Sequence, residues 1–220
     1  MMLNALEHYK SKWQLSEPTK VTATLTSEIY RVVFKDTAAI LKILTPAGIR
    51  DEQNGALALR YFNGIGSAHL IDFDPGAHLI EYIGGNTAAS QFSNLKDFEA
   101  SQVICSVVSQ LHRARHEELP AQLSTLEKWF QSLFNKSAGE NCPAEFIKAS
   151  DAARVLIQSQ RDVTVLYGDI HHENIMLCPQ RGWLAIDPKG LYGERTFDVA
   201  NVRRCERFLQ SFELPDVTFK

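Results

Sequence analysis

The residues best suited to chemistry cluster in the last quarter of the chain. Asp169, Ile170, His171, His172, Glu173 and Asn174 follow a short apolar run, Val163 to Tyr167, and Gly168. Asp187, Pro188, Lys189 and Gly190 follow a second run, Trp183 to Ile186. Asn174 stands five residues after Asp169, and Asp187 thirteen after Asn174. Apolar runs of this kind read as short strands, so the spacing sets two carboxylates and a carboxamide beside neighbouring strands. A loop can then present one carboxylate to a hydroxyl nucleophile. Asn174 and Asp187 supply the hard oxygens that Mg2+ takes beside nucleotide phosphates. Plainer readings stay open. Asp169 reads equally as a turn residue, Asn174 as a local cap, and Asp187 before Pro188 as a simple turn. Asp169, His171 and His172 also make a candidate set for a metal-dependent hydrolase.

These turns need elements to hold them. The chain divides by pattern near residue 85. Before it, Val21–Thr26, Ile29–Phe34 and Ala38–Leu44 are β-prone runs with short polar breaks, which predicts an antiparallel meander. A helix is expected from Arg50 to about Phe62, with Asp51 and Glu52 in its first turn. Ala68–Phe73 and His78–Ile83 read as two further strands joined at Asp74-Pro75-Gly76. Gly84-Gly85-Asn86 is the natural junction. Beyond it the period is helical: Phe98–His112, Leu123–Phe134 and Ala144–Ser159 each carry an apolar face. Those faces, including Trp129, Ile147, Val155 and Leu156, are read as core. Residues 135–143 read as an exposed loop.

Composition narrows the classes. The chain has 220 residues, and 45% are hydrophobic and 22% charged, as in an ordinary globular protein. A formal net charge of −3 argues against a general nucleic-acid binder. No apolar run reaches the ~20 residues of a membrane span, and residues 1–12 lack a signal-peptide stretch. Cytoplasm is the expected location. Cys105, Cys142, Cys178 and Cys205 lie far apart and are expected as free, buried thiols.

Tyr167-Gly168-Asp169-Ile170-His171-His172-Glu173-Asn174 resembles the catalytic loop of the aminoglycoside phosphotransferase group, written H-G-D-x-H-x-x-N. Gly182-Trp183-Leu184-Ala185-Ile186-Asp187-Pro188-Lys189-Gly190 is similar to the metal-binding strand of one branch. That branch is the streptomycin 6-kinase-like, or aminoglycoside/hydroxyurea antibiotic resistance kinase, family. Gly193 to Ala200 resembles its continuation. The likeness spans roughly Leu15 to Asn201 and is specific from Val165 to Ala200.

The resemblance implies an α+β, two-lobed protein-kinase-like fold. An antiparallel β N-lobe (1–85) would carry the nucleotide, and a mainly helical C-lobe (86–220) the catalytic and metal-binding loops. It implies an ATP-dependent O-phosphotransferase acting on an aminoglycoside-like, streptomycin-like or other hydroxylated small molecule, with ATP and Mg2+ as cofactors. Asp169 would be the catalytic carboxylate, and Asn174 and Asp187 the metal ligands. Lys42 would pair with the phosphates, with Glu52 as its carboxylate partner and Asp51 as the competitor. Glu81, Tyr82 and Ile83 would form the adenine hinge, and Asp198 would brace the catalytic loop. Lys42 has a rival reading as a lysine that snorkels from an edge strand. For a cationic acceptor, Glu173, Glu194, Glu206 and Glu213 are the candidate carboxylates. Three departures from the pattern stand out. Tyr167 replaces a histidine, Leu25–Ile29 replaces a glycine-rich loop, and Lys220 ends the chain 22 residues after Asp198. The last predicts a smaller or more open acceptor pocket, or one completed by another chain. Together they keep a second reading in view: a degenerate kinase fold that binds nucleotide or a partner without transfer.

Overall fold

The computed structural model describes residues 2–91, 97–113, 119–120 and 122–202. Its first half is an antiparallel five-stranded sheet in the order β1-β2-β3-β5-β4. The strands are β1 (Ser16–Ala23), β2 (Ser27–Phe34), β3 (Thr37–Leu44), β4 (Leu70–Asp74) and β5 (Ala77–Glu81). β1 starts five residues earlier than expected and ends before Thr24, so Thr24, Leu25 and Thr26 form the turn instead of strand.

Strand alternation sorts the side chains to two faces. Tyr30 and Val32 of β2, Ala39, Leu41 and Ile43 of β3, and Ala77 and Leu79 of β5 share one buried cluster with Tyr9, Trp13 and Leu15. Those last residues belong to or follow a helix the sequence reading did not foresee, α1 (Met2–Trp13). Tyr9 and Trp13 stack with ring centroids 5.1 Å apart. Because α1 seals this face, Ile40, Lys42, His78 and Ile80 must point to the other one. Lys42 lies opposite His78, and Ile40 opposite Ile80. β3 is the middle strand of the five, which removes the edge-strand reading of Lys42.

The single helix expected over 50–62 is two. Thr45 caps α2 (Pro46–Glu52), its hydroxyl accepting from the Gly48 N–H at 3.1 Å with Pro46 in the first turn. α3 (Gly55–Phe62) starts after Gln53 and Asn54. Asp51 and Glu52 therefore close α2, not open a helix. α3 opens tight against the bend at Pro188: a Cβ on Gly55 would lie 2.4 Å from the Pro188 carbonyl oxygen.

The remaining elements are α4 (Ala88–Gln91), α5 (Asp97–Leu111), β6 (Ser124–Thr125), α6 (Leu126–Trp129), α7 (Gln131–Ser137) and α8 (Ala144–Gln158). They are followed by β7 (Val163–Leu166), a 3-10 turn (His172–Asn174), β8 (Ile175–Cys178), β9 (Gly182–Ala185), β10 (Leu191–Glu194) and α9 (Thr196–Val202). β8 and β9 form a hairpin, and β10 lies between β6 and β7. Ala58, Tyr61 and Phe62 of α3 pack with Ile104, Val107 and Leu111 of α5 and with Val165, Tyr167 and Ile175. The core thus crosses the junction at residue 85. No helix among the described residues is long and apolar enough to cross a membrane.

Two apolar faces differ from expectation. The helix expected over 123–134 is broken at Phe130 into α6 and α7. On α8, Ile147, Val155 and Leu156 are exposed, and Trp129 on α6 is 39% exposed. α8 buries its small residues, Ser150 and Ala153, instead. Among the described cysteines Cys105, Cys142 and Cys178 are free, but only Cys178 is buried. Cys205 lies outside the described residues.

Candidate active site

Asp198 braces the candidate catalytic loop. It is fully buried, and its carboxylate accepts from the backbone N–H groups of Gly168 (2.7 Å) and Tyr167 (3.0 Å) and from His112 Nε2 (2.8 Å). Three donors on one buried carboxylate offset the cost of taking its charge out of water. Gly168 turns the chain with φ +85°, where a Cβ would lie 2.9 Å from a Leu191 methyl. The turn lifts Asp169 out of the core, leaving its side chain 45% exposed.

Tyr167 occupies the position where a histidine was expected, and it holds both candidate metal ligands. Its hydroxyl accepts from the Asp187 N–H at 2.9 Å and donates to the Asn174 carbonyl at 3.4 Å. Complete burial drives its phenol well above the ordinary value, so it stays protonated. The Asn174 amide donates to the Asp169 carbonyl at 3.0 Å, which leaves its side-chain oxygen available.

Lys42 reaches this group from the sheet. It is 3% exposed, and its ammonium lies 2.7 Å from Glu52 Oε2 and 2.5 Å from Asp187 Oδ1. Glu52, not Asp51, is its partner, because α2 ends with Glu52 turned inward and Asp51 exposed. The other Glu52 oxygen lies 2.9 Å from Lys189 Nζ, which in turn stands 3.7 Å from Asp169 Oδ2. The result is a chain of alternating charge: Asp187, Lys42, Glu52, Lys189, Asp169. Burial alone would raise the Glu52 carboxyl, but Lys42 foremost and Lys189 after it pull it down to about 2. Burial is the largest single influence on the Lys189 ammonium and works against it, but the hydrogen bond and charge of Glu52, with the charges of Asp187 and Asp169, together outweigh burial and raise it. Lys189 is the member the sequence reading quoted without assigning. A lysine directly after an Asp-Pro turn was the available signal.

His78 borders the same group. It is 2% exposed, its ring bonds to the Gln53 backbone, and its Nε2 has no partner. Burial and the neighbouring Lys42 charge push it down to about 4, so it is neutral at pH 7.

The expected hinge lies at the end of β5. The Glu81 carboxylate is paired with Arg181, and Tyr82 is exposed with the Arg31 guanidinium 4.8 Å from its ring centre. Ile83 is buried in an apolar group with Leu184, joined by Met176 and Ile186.

In the turn that takes the place of a glycine-rich loop, Glu28 points away, held by Lys20 at 2.6 Å and the Tyr30 hydroxyl at 2.7 Å. A cavity of about 450 Å³ opens beside Lys189 and Glu52, between α2 and α6, with Thr26, Asp51, Ser124 and Trp129 in its wall.

Of the carboxylates considered for a cationic acceptor, Glu194 is committed to the N–H groups of Arg161 (2.8 Å) and Asp162 (3.0 Å). Glu173 is exposed in the 3-10 turn. Glu206 and Glu213 lie outside the described residues. Among the described residues no three His, Cys, Asp or Glu side chains gather as a metal site, which leaves the hydrolase alternative without structural support. Asn174 and Asp187 suit a different ion. One carboxamide oxygen and one carboxylate, with phosphates completing the shell, is the donor set Mg2+ takes in phosphoryl transfer.

The geometry agrees with comparisons to known proteins. The chain is 38% identical over 192 residues to the streptomycin 3''-kinase of Klebsiella pneumoniae, covering 87% of this chain and 70% of that one. It is 27% identical over 207 residues to the streptomycin 6-kinase of Streptomyces griseus, covering 86% of this chain and 62% of that one. The streptomycin–ATP ternary complex of the aminoglycoside phosphotransferase APH(2'')-IIa superposes with a TM-score of 0.59 at 12% identity, covering 96% and 81% of the two chains. At that identity the likeness speaks for the fold, which is α+β and protein-kinase-like. A family model described as aminoglycoside/hydroxyurea antibiotic resistance kinase matches residues 12–208, so the chain belongs to the aminoglycoside/hydroxyurea antibiotic resistance kinase family.

Proposed function

We propose that this protein is an ATP-dependent small-molecule O-phosphotransferase whose acceptor is a hydroxylated, aminoglycoside-like compound such as streptomycin. The observation that carries the reading is the linkage of Lys42, Glu52 and Asp187, through Lys189, to Asp169 and its hydrogen-bonded Asn174, although these five come from four separate stretches of sequence. Family membership supports the reaction class, and the streptomycin kinases among the relatives support the acceptor class.

In this reading residues 1–85 hold the nucleotide. The backbone of Glu81, Tyr82 and Ile83 receives adenine, and Ile83, Met176 and Ile186 line its apolar seat. Lys42 binds the α- and β-phosphates, kept in place by Glu52. Asn174 and Asp187 hold Mg2+, which when bound draws negative charge from the phosphates. Asp169 orients the acceptor hydroxyl, and its exposed oxygens take the proton. The acceptor oxygen bonds to the γ-phosphorus as the bond to the β–γ bridging oxygen breaks, and that electron pair leaves with the diphosphate. Positioning and electrostatics supply most of the acceleration. The cavity beside Lys189 is large enough for a ring of the acceptor, with Trp129 as a stacking surface and Asp51 as a counter-charge for a cationic group. A cytoplasmic location fits a protein that uses ATP and carries free thiols.

The test is ADP release in the presence of Mg2+, ATP and a panel of aminoglycosides and neutral polyols, with the phosphorylated product identified by mass. Acceptor-dependent turnover that vanishes in Asp169→Asn supports the reading. Nucleotide binding without turnover on any acceptor selects the degenerate-kinase alternative.

A further inference from the structure

Kinases need positive charge at the terminal phosphate, and the N-terminal turn of this chain is poorly equipped to provide it. The Thr26 and Ser27 N–H groups both donate to the Thr24 hydroxyl, at 3.2 and 3.1 Å, and the Thr24 N–H donates to the Ser27 carbonyl at 2.8 Å. Three of the amides a phosphate would use are thus spent inside the turn. The turn is also pinned from behind. The Thr45 N–H donates to the Thr26 carbonyl at 2.8 Å, and a Cβ on Gly48 would lie 2.0 Å from that same oxygen. Lys42 cannot make up the deficit alone, since two carboxylates already share its ammonium.

Lys189 has the placement the turn lacks. Its backbone N–H is fixed to the Tyr167 carbonyl at 2.8 Å, which ties it to the residue leading into the catalytic loop. Its ammonium stands between Glu52 at 2.9 Å and Asp169 at 3.7 Å and forms part of the cavity wall. The side chain is 19% exposed, so a charge there is weakly screened. A cation 3.7 Å from the group that accepts the nucleophile's proton is next to the path of the transferred phosphoryl.

We propose that Lys189 is a catalytic cation of this protein: its ammonium binds the terminal phosphate of the nucleotide beside Asp169, in place of the closed turn at 24–27. The proposal rests on the kinase reading above. During transfer, Lys189 stays charged and neutralises the three equatorial phosphoryl oxygens, as other cationic groups do in this reaction class. The plain rival is that Lys189 only braces Glu52.

Calorimetric titration of Mg-ADP and of a non-hydrolysable Mg-ATP analogue into wild type and Lys189→Gln separates the two, because neither measurement needs an acceptor. The expected result is a triphosphate affinity reduced about 10- to 100-fold, with ADP affinity within about threefold of wild type. Where turnover is measurable, kcat falls about 100- to 1,000-fold and the KM for ATP rises in step with the lost triphosphate affinity. Lys189→Arg, which keeps the charge, restores most of the triphosphate preference. Equal losses for the two nucleotides, or no loss, overturn the proposal and leave the kinase reading standing. A wild-type chain that binds neither nucleotide overturns both. If Lys189→Gln does not fold, Glu52→Gln/Lys189→Gln compared with Glu52→Gln gives the same readout, because it removes the brace and its partner together.

Discussion

Glu52 and Asp169 are both carboxylates beside Lys189, and they live in different media. Glu52 is sealed at 5% exposure between two ammonium groups. Asp169 sits on a turn, its side chain 45% exposed, with its nearest cation at 3.7 Å. The first environment fixes one ionised state and one position, which suits a group that holds others in place. The second leaves the carboxylate oxygens open to an incoming hydroxyl, which suits a base. One protein makes both from the same functional group by ending a helix against a sheet in one case and lifting a loop into a cleft in the other.

The comparison can be broken at several points. The largest effect is expected at the wet end. Asp169→Asn should lower acceptor-dependent ADP release about 1,000-fold while leaving the melting temperature within a degree or two, since the side chain touches no core group. A large loss of stability would show that Asp169 is structural.

At the dry end the effects should reverse. Glu52→Gln leaves two buried cations facing a neutral amide, and urea denaturation at pH 7 should show a loss of about 3 kcal/mol. The same residue sets an acid limit. Its carboxyl is held at about 2 in the folded chain, below its ordinary value. The stabilisation is therefore complete above about pH 4.5 and is lost as pH falls toward 2, because the unfolded chain protonates first. In Glu52→Gln the stability profile should be shallower across that interval, keeping only what other lowered carboxylates such as Glu28 and Glu194 contribute.

His78 gives a smaller test in a different window. A histidine held at about 4 stays neutral while its unfolded counterpart gains a proton near pH 6.5. Stability should fall by up to about 3 kcal/mol as pH drops from 6.5 to 4. His78→Phe should lose that slope and keep the one that belongs to Glu52. The smallest effect is expected at Tyr167. Tyr167→Phe removes a hydrogen bond from the Asp187 N–H and should cost about 1 kcal/mol, with an increase in the Mg2+ concentration needed for half-maximal nucleotide binding.

What could be read in the sequence was contiguous. Asp169 to Asn174 and Trp183 to Gly190 carry their geometry in a few residues each, so residue types and spacing suffice. Lys42 was legible through the family resemblance, which matched it to a lysine inside the third β-prone run. The partners of these residues were harder. Whether Asp51 or Glu52 faces Lys42 depends on helix phase, and the phase depends on where α2 ends. Just beyond that point Gly55 packs against Pro188, 133 positions further along the chain. Lys189 could not be assigned because spacing alone does not reveal that it meets Glu52. Helix α1 has an unremarkable period, and its place is decided by the sheet face it covers. The apolar stripe of α8 shows the limit of periodicity, which marks a face without saying whether anything packs on it.

Gly55 and Gly190 face the same junction from opposite stretches of chain. A Cβ on Gly55 would meet the Pro188 carbonyl, and one on Gly190 would lie 2.1 Å from the Asn54 carbonyl. Main chain thus rests on main chain from both sides, like two interlocked fingers. The knuckle after α2 is packed directly on the bend carrying Asp187 and Lys189. The consequence is that a Cβ added at either glycine should disturb Glu52 and Lys189 together, although they lie on distant stretches of the chain.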